Sequence, residues 1–203
     1  MNTTVIDTTH LGPALIALVG NPNCGKTALF NLLTGSHQKV ANYAGVTVER
    51  KEGQFISPQG QPWRLLDLPG AYSLLAATPD EAITRDVIAG VREGESAPVG
   101  LVCVVDATNL RLNLRMVLEL QTLGVPMVLV INMMDEAARR GIRIDTDRLQ
   151  QALGIPVVEA VAVRAGGEQA LLAQLDALDW AGLPPPAEPR PVARIADTPV
   201  EQT

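Results

Sequence analysis

The chain has 203 residues, of which 47% are hydrophobic but only 3% aromatic, and its formal net charge is −6. This length suits one α/β domain, and a core of Leu, Val, Ile and Ala is typical of a parallel sheet covered by helices. The negative net charge argues against a nucleic-acid partner, because neutralising phosphates requires clustered Lys and Arg. No apolar run approaches the roughly 20 residues of a membrane span, which predicts a soluble chain.

The first predicted elements surround a glycine-rich turn. Residues 1–12 are polar and predict a flexible tail. The apolar run 15–19 predicts a buried strand, and 28–33 predicts a helix. Between them, residues 20–27 read GNPNCGKT and match the phosphate-binding loop G-x-x-x-x-G-K-[ST] at every fixed position. A strand before the loop and a helix after it are the context that this motif requires.

The chemistry of this loop is phosphate binding, because its backbone N–H groups and the N-terminus of the following helix attract phosphate oxygens. Lys26 would contact the β- and γ-phosphates, and the Thr27 hydroxyl would hold Mg²⁺. Cys24 is either a reactive thiol beside a helix N-terminus or a replacement for a serine of similar size. The residues of this stretch expected to contact the nucleotide are Asn21, Pro22, Asn23, Cys24, Gly25, Lys26, Thr27 and Ala28.

A long mobile loop is predicted next, over residues 35–45, where no periodicity is visible; such loops in compact domains are usually functional. Alternation over 46–55 predicts a strand, and a turn at 57–60 leads into a returning strand over 63–68. The string DLPG at 67–70 places Asp67 at the carboxyl end of that strand. Ligands of open α/β sheets bind at this edge.

The rest of the chain alternates between predicted helices, at 79–91, 110–123, 136–140, 146–153 and 167–178, and predicted buried strands, at 99–105, 126–131 and 155–163. This order indicates a mostly parallel, doubly wound sheet with helices on both faces. Six prolines follow residue 182. We therefore expect the folded domain to span 13–180 and residues 181–203 to be a proline-rich linker.

The segment after the predicted strand at 126–131 indicates which nucleotide base the site would bind, namely guanine. In Asn132-x-x-Asp135 the carboxylate would accept hydrogen bonds from the purine N1 and the N2 amino group, which adenine does not offer in this arrangement. Thr47 lies where the first-switch threonine of Ras-like GTPases reaches Mg²⁺ and the γ-phosphate; Asp67 would lie in the outer shell of Mg²⁺, and the Gly70 amide would contact the γ-phosphate. Taken singly, each has a structural explanation, such as a helix cap for Asn132 and Asp135. Their joint order favours a GTPase.

Five strings carry a closer resemblance: GNPNCGKTALFNLLTG, NYAGVTVERKEG, DLPGAYSL, VVDATNL and NMMDEAARRGI. Over roughly residues 15–178 the chain resembles the cytoplasmic G domain of the bacterial ferrous iron transport protein B family. The resemblance implies a Ras-like P-loop GTPase fold with six to seven strands. It also implies that GTP hydrolysis is coupled to Fe²⁺ uptake through a membrane transporter part of the same protein. The G domain would then lie at the cytoplasmic face of the inner membrane. The resemblance leaves a homo-oligomer open. Family members carry a helical domain after the G domain, and in this sequence a proline-rich stretch stands at that position.

The resemblance also assigns roles to individual residues. The family is similar to potassium-activated GTPases, in which a phosphate-loop asparagine, here Asn23, holds K⁺. Ala71 stands where Ras-like enzymes carry a water-orienting glutamine, so hydrolysis is slow or water is positioned otherwise. The further nucleotide contacts expected are Gly45, Val46 and Thr47 in the first switch, Met133 over the base face, and the backbone of Val161 and Ala162. The catalytic candidates are Asn23, Lys26, Thr47 and Gly70.

Two other functions fit the same motifs. One is a guanine-nucleotide-sensing module whose hydrolysis is negligible and whose output is the order of the switch loops. The other is an Era-like ribosome-assembly GTPase. Such proteins usually add a basic RNA-binding domain, so the acidic charge and the proline-rich end of this sequence argue against this function.

Overall fold

A seven-stranded sheet forms the centre of the computed structural model, which describes residues 13–35, 38–162 and 166–178. In chain order the strands are β1 (Ala14–Gly20), β2 (Gln38–Asn42), β3 (Glu49–Ile56), β4 (Pro62–Asp67), β5 (Gly100–Asp106), β6 (Met127–Asn132) and β7 (Val157–Glu159). The helices are α1 (Lys26–Thr34), α2 (Pro79–Ile88), α3 (Leu110–Gln121), α4 (Met134–Arg139), α5 (Thr146–Leu153) and α6 (Gln169–Ala177). No helix of the described residues is both long and apolar enough to cross a membrane.

The strand order across the sheet is β2-β3-β4-β1-β5-β6-β7. The five strands from β4 to β7 in this order are parallel, whereas β2 and β3 form an antiparallel extension at one edge. In the parallel part Leu18 is paired with Asp67, and Asp106 with Asn132. The carboxyl ends of the central strands therefore meet at one edge, and the predicted mostly parallel fold is confirmed.

Two apolar layers enclose the sheet, because successive residues of a strand point to opposite faces. Leu15, Ala17 and Val19 of β1 belong to the layer that includes residues of α2 and α3. Ile16 and Leu18 belong to the opposite layer, with residues of α1 and α6. Burial on both faces explains why the central strands are continuous apolar runs with no alternation.

The predicted loop at 35–45 needs a correction, since it contains β2. All five residues of β2 are exposed, and the strand is held by its backbone pairing with β3. An edge strand without a buried face leaves no periodic pattern, which is why the sequence failed to indicate it. The next strand begins at Glu49 rather than at residue 46, because the residues before it form a turn. The Tyr43 amide closes this turn by donating to the Val48 carbonyl at 3.0 Å.

The other helices and strands differ less from their predicted ranges. The N-cap predicted at Thr78 is confirmed, since its hydroxyl accepts from the Glu81 amide at 3.3 Å. The Glu81 carboxylate accepts in return from the amide of Ala77, the residue before the N-cap, at 3.0 Å. α4 begins at Met134 and so includes Asp135, and β7 is three residues long instead of nine. The predicted tail at 1–12 and linker at 181–203 lie outside the described residues.

Candidate nucleotide-binding site

The predicted phosphate loop lies between β1 and α1, as its motif requires. Its curvature uses two residues in the left-handed region, Asn23 with a φ of 64° and Gly25 with a φ of 89°. A side chain at Gly25 would overlap the Asn132 amide, so glycine is needed there for space as well as for conformation. α1 begins directly after Gly25, and the first amides of a helix have no intrahelical partner, which suits them to an anion.

A cavity of about 370 Å³ adjoins the start of α1. It is lined by residues from three separate predicted motifs: Lys26 of the phosphate loop, Thr47 of the first switch segment (residues 35–48), and Asp67 and Gly70 of the DLPG turn. Asn23 and Thr27 are exposed beside it rather than part of its wall. The structure thus brings together four of the residues that the sequence assigns to the phosphate end of a nucleotide.

Two of these side chains contact each other across the cavity wall. The Lys26 ammonium forms an ion pair with the Asp67 carboxylate, and both side chains are at most 10% exposed. Burial raises the pKa of Asp67, and the positive charge of Lys26 opposes this effect. A buried carboxylate held mainly by one lysine is a site where a divalent cation can take over the pairing.

The DLPG turn is fixed on three sides. The Thr84 hydroxyl of α2 donates to the Pro69 carbonyl at 3.1 Å, and the Ala71 amide donates to the Gly20 carbonyl at 3.2 Å. Gly70 lies against the phosphate loop, since a Cβ there would come within 3.2 Å of Pro22. Ala71 itself is buried in the core, so its methyl group faces apolar side chains.

Asn132 connects the phosphate loop to the loop after β7. Its Nδ2 donates to the Cys24 carbonyl at 3.0 Å, and its Oδ1 accepts from the Ala162 amide at 3.1 Å. The helix-cap explanation is wrong for Asn132, because α4 has Met133 at its N-cap. This bridging role was not predicted from the sequence; the motif indicated only that Asn132 lies near the base.

The other residues predicted to contact the base lie at the start of α4 and on the loop after β7, close to Asn132. Met133 has a φ of 62°, a left-handed conformation that is costly for a residue with a side chain and is typical of functional sites. Asp135 lies in the first turn of α4 with its carboxylate half-buried, 4.0 Å from the Arg139 guanidinium. Val161 precedes Ala162, so the predicted backbone contacts lie on the segment that Asn132 holds.

Burial decides between the two interpretations of Cys24. The side chain is buried and burial raises its thiol pKa to about 11, so the thiolate is disfavoured and Cys24 acts as a small packing residue. Asn21 is also buried, and within the described part of the chain neither atom of its side-chain amide has a hydrogen-bond partner. An amide left in this state costs free energy, which marks Asn21 as a group with spare hydrogen-bonding capacity within the phosphate loop.

Tyr43 is a residue of the first switch segment that sequence reasoning missed. It is 1% exposed, with the Arg92 guanidinium 6.0 Å from the centre of its ring. Arg92 also donates to the Ala44 carbonyl at 2.7 Å, and nearby Arg50 donates to Glu95 at 2.6 Å. These contacts attach the turn that carries Thr47 to the segment after α2. The available signal was an aromatic residue in a chain that has few of them.

The strand order, the phosphate loop after β1 and the DLPG turn after β4 define a Ras-like P-loop GTPase fold. The family model described as "Ferrous iron transport protein B" matches residues 14–175. The chain belongs to this family.

Individual relatives agree with the family match. The Fe(2+) transporter FeoB of Salmonella typhimurium (strain LT2) is 46% identical over 161 residues, which cover 79% of this chain and 21% of the relative. This chain therefore spans about a fifth of the length of the curated relatives it matches.

Solved structures give the same result. The cytosolic domain of T. maritima FeoB in a GDP form is 40% identical with a TM-score of 0.74, covering 82% of this chain and 63% of that one. The same domain in a GMPPNP form is 39% identical with a TM-score of 0.69, covering 81% and 61%. The isolated G domain of T. maritima FeoB is 38% identical with a TM-score of 0.70, covering 82% of this chain and all of that one.

Proposed function

We propose that this chain is the GTP-binding and GTP-hydrolysing switch domain of a ferrous iron transporter. The observation that carries the proposal is the cavity where Lys26, Thr47, Asp67 and Gly70 meet, next to a phosphate loop that Asn132 ties to the loop of Ala162. The GDP and GMPPNP forms of the T. maritima domain support guanine nucleotides as the ligands.

Mg²⁺ fits the phosphate end, because carboxylate and hydroxyl oxygens are the ligands it prefers. Thr27 and Thr47 would hold it directly, with Asp67 in its outer shell. When bound, the ion neutralises charge on the β- and γ-phosphates. Lys26, which pairs with Asp67 in this structure, would then contact the phosphate oxygens.

K⁺ is the second cation of the proposal, and Asn23 would hold it. Asn23 is exposed on the phosphate loop in a left-handed conformation, so its side-chain oxygen is accessible from solvent. When bound, K⁺ would place positive charge between the β- and γ-phosphates, where negative charge develops during hydrolysis.

Hydrolysis adds water to the γ-phosphorus and breaks its bond to the β-phosphate oxygen, giving GDP and phosphate. The Gly70 amide and Thr47 would stabilise the γ-phosphoryl group in this step. Ala71 offers no group to orient the water and is buried besides, so we expect a slow intrinsic rate. The same observation favours the second candidate, a guanine-nucleotide-sensing module with negligible hydrolysis.

Guanine would be read at the carboxyl end of β6. The Asp135 carboxylate would accept from N1 and N2 of the base, and Met133 would cover the base face. Of the two predicted backbone contacts, the Val161 amide would donate to the base carbonyl oxygen, whereas the Ala162 amide already donates to Asn132. Since Asn132 holds Ala162 and Cys24 together, the base and phosphate ends of the site would be positioned as one unit.

In the full-length protein this domain would act at the cytoplasmic face of the bacterial inner membrane. Its partner there would be the membrane transporter part of the same protein, with residues 181–203 as the connecting linker. A homo-oligomer is compatible with this arrangement, and no nucleic-acid partner is expected.

A single-turnover assay tests the proposal. Purified chain is mixed with less than one equivalent of GTP, with Mg²⁺ or with EDTA, and bound nucleotide and released phosphate are followed separately. We expect phosphate release to depend on Mg²⁺ and to be abolished by Lys26→Ala. Arg148→Ala, which removes a positive charge from an exposed position on α5, should leave it intact. Binding without phosphate release would favour the sensing module, and no binding of GTP or GDP would refute both.

A further inference from the structure

The side chain of Glu119, on α3, forms a contact that none of the sequence motifs predicts. One of its carboxylate oxygens accepts from the Leu74 amide at 2.7 Å and from the Ser73 hydroxyl at 2.9 Å. Its other oxygen accepts from the Arg115 guanidinium, one helical turn away, at 3.1 Å. We call the bonds from Glu119 to Ser73 and Leu74 the carboxylate latch.

The latch acts on the segment that follows Gly70. Leu74 is buried, but its neighbours Tyr72 and Leu75 are 52% and 63% exposed. Packing therefore holds this segment at Ala71, which is buried next to the DLPG turn, and again at Leu74. A carboxylate that accepts both a main-chain amide and a side-chain hydroxyl fixes the direction of the backbone as well as its position.

The carboxylate is suited to this role because it is charged at neutral pH. Partial burial disfavours the charged form, but the hydrogen bonds from the Leu74 amide, the Ser73 hydroxyl and Arg115 outweigh it and lower the pKa of Glu119. Hydrogen bonds to a charged acceptor are about twice as strong as those between neutral groups.

The latch and the cavity are present in the same conformation. Gly70 lines the cavity together with Lys26 and Thr47 while Ser73 and Leu74 are bound to α3. GDP has no γ-phosphate and so has no contact to gain from Gly70, whereas GTP does. Holding the segment should therefore matter for the triphosphate and not for the diphosphate.

We propose that Glu119 is a positioning residue for γ-phosphate recognition: by binding Ser73 and Leu74 to α3, it adds to the contacts that keep Gly70 on the cavity wall and so favours the triphosphate over the diphosphate. The proposal rests on the proposed function, since it deepens the role of the same site. Glu119 touches no nucleotide atom in this scheme and acts only through the segment that it holds.

The test compares the affinities of GDP and of GMPPNP, a triphosphate analogue, for the purified chain carrying Glu119→Ala. We expect GMPPNP affinity to fall about tenfold, the order of magnitude for one lost hydrogen bond to a charged group, while GDP affinity stays within about twofold. Glu119→Gln keeps an oxygen that can accept from the Leu74 amide and should lose less. Thermal unfolding of each variant verifies that it is folded at the assay temperature.

Asp176→Ala is the matched control. Its carboxylate also accepts from a main-chain amide, that of Gln59 at 3.2 Å, but at the turn between β3 and β4, the opposite end of the sheet from the cavity. Equal losses of GDP and GMPPNP affinity, or no loss of either, would overturn the proposal for Glu119. If Glu119→Ala does not fold, Glu119→Gln decides, with a smaller loss that is confined to GMPPNP. Failure of the unsubstituted chain to bind either nucleotide would instead refute the proposed function, and this proposal with it.

Discussion

Replacing Asn132 by alanine removes both hydrogen bonds that join the two ends of the site. The Cys24 carbonyl loses its donor at 3.0 Å and the Ala162 amide loses its acceptor at 3.1 Å, and both bonds are buried. Each buried group left without a partner costs about 1–3 kcal/mol, so the free energy of unfolding should fall by about 2–6 kcal/mol. Released from Asn132, the two loops should also bind GDP more weakly.

Asn113→Ala provides a matched comparison. Asn113 is equally buried, and its amide also makes two bonds, donating to the Asn109 carbonyl at 2.9 Å and accepting from the Asp106 amide at 3.3 Å. Urea denaturation should show similar losses for the two variants, whereas GDP titration should show a further loss of affinity for Asn132→Ala alone. If both variants weaken GDP binding equally, the reasoning that Asn132 positions the nucleotide loops is refuted.

Three further changes have defined outcomes. Asp135→Asn should weaken GTP binding and admit xanthosine nucleotides, which a competition assay measures, because the amide reverses the hydrogen-bonding pattern at one position. Tyr43→Phe should leave the free energy of unfolding unchanged or raise it, since the buried hydroxyl has no partner among the described residues, while Tyr43→Ala should lose about 3–5 kcal/mol in urea denaturation. Partial burial disfavours the charged form of Glu52, but hydrogen bonds from Arg64 and Arg50 outweigh it and hold the pKa of this carboxyl below its ordinary range. Its stabilising contribution is therefore complete above the ordinary glutamate pKa and is lost as pH falls through the lowered one, so melting temperatures of Glu52→Gln should decline less in acid.

Each of these three predictions would be contradicted by a specific result. Unchanged GTP affinity in Asp135→Asn would remove the base-reading role. A large loss of stability in Tyr43→Phe would mean that the hydroxyl is paired after all. Parallel acid melting curves for Glu52→Gln and the unsubstituted chain would show that the arginines do not stabilise the Glu52 carboxylate.

The central fold was predictable because its signals are local. Continuous apolar runs such as 15–19 and 126–131 indicate strands buried on both faces, and the glycines and lysine of the phosphate loop have fixed spacing. β2 was not predictable, since its residues are all exposed and its stability comes from pairing with β3. Edge strands of this kind depend on the rest of the sheet and carry little pattern of their own.

The site shows the same division. The sequence placed Lys26, Thr47, Asp67 and Gly70 at one edge, and the structure puts them on one cavity. It did not indicate that Lys26 pairs with Asp67, or that Asn132 bridges two loops, because these contacts join residues far apart in the chain.

The measurement that tests the central claim most directly is GTP turnover by the purified chain in KCl and in NaCl at equal ionic strength, with Asn23→Ala assayed beside it. A potassium-stimulated GTPase should turn over GTP faster in KCl, and Asn23→Ala should lose that stimulation while still binding GTP. Equal rates in the two salts would contradict the potassium mechanism, and negligible turnover in both, with GTP bound, would contradict hydrolysis as the function of this domain.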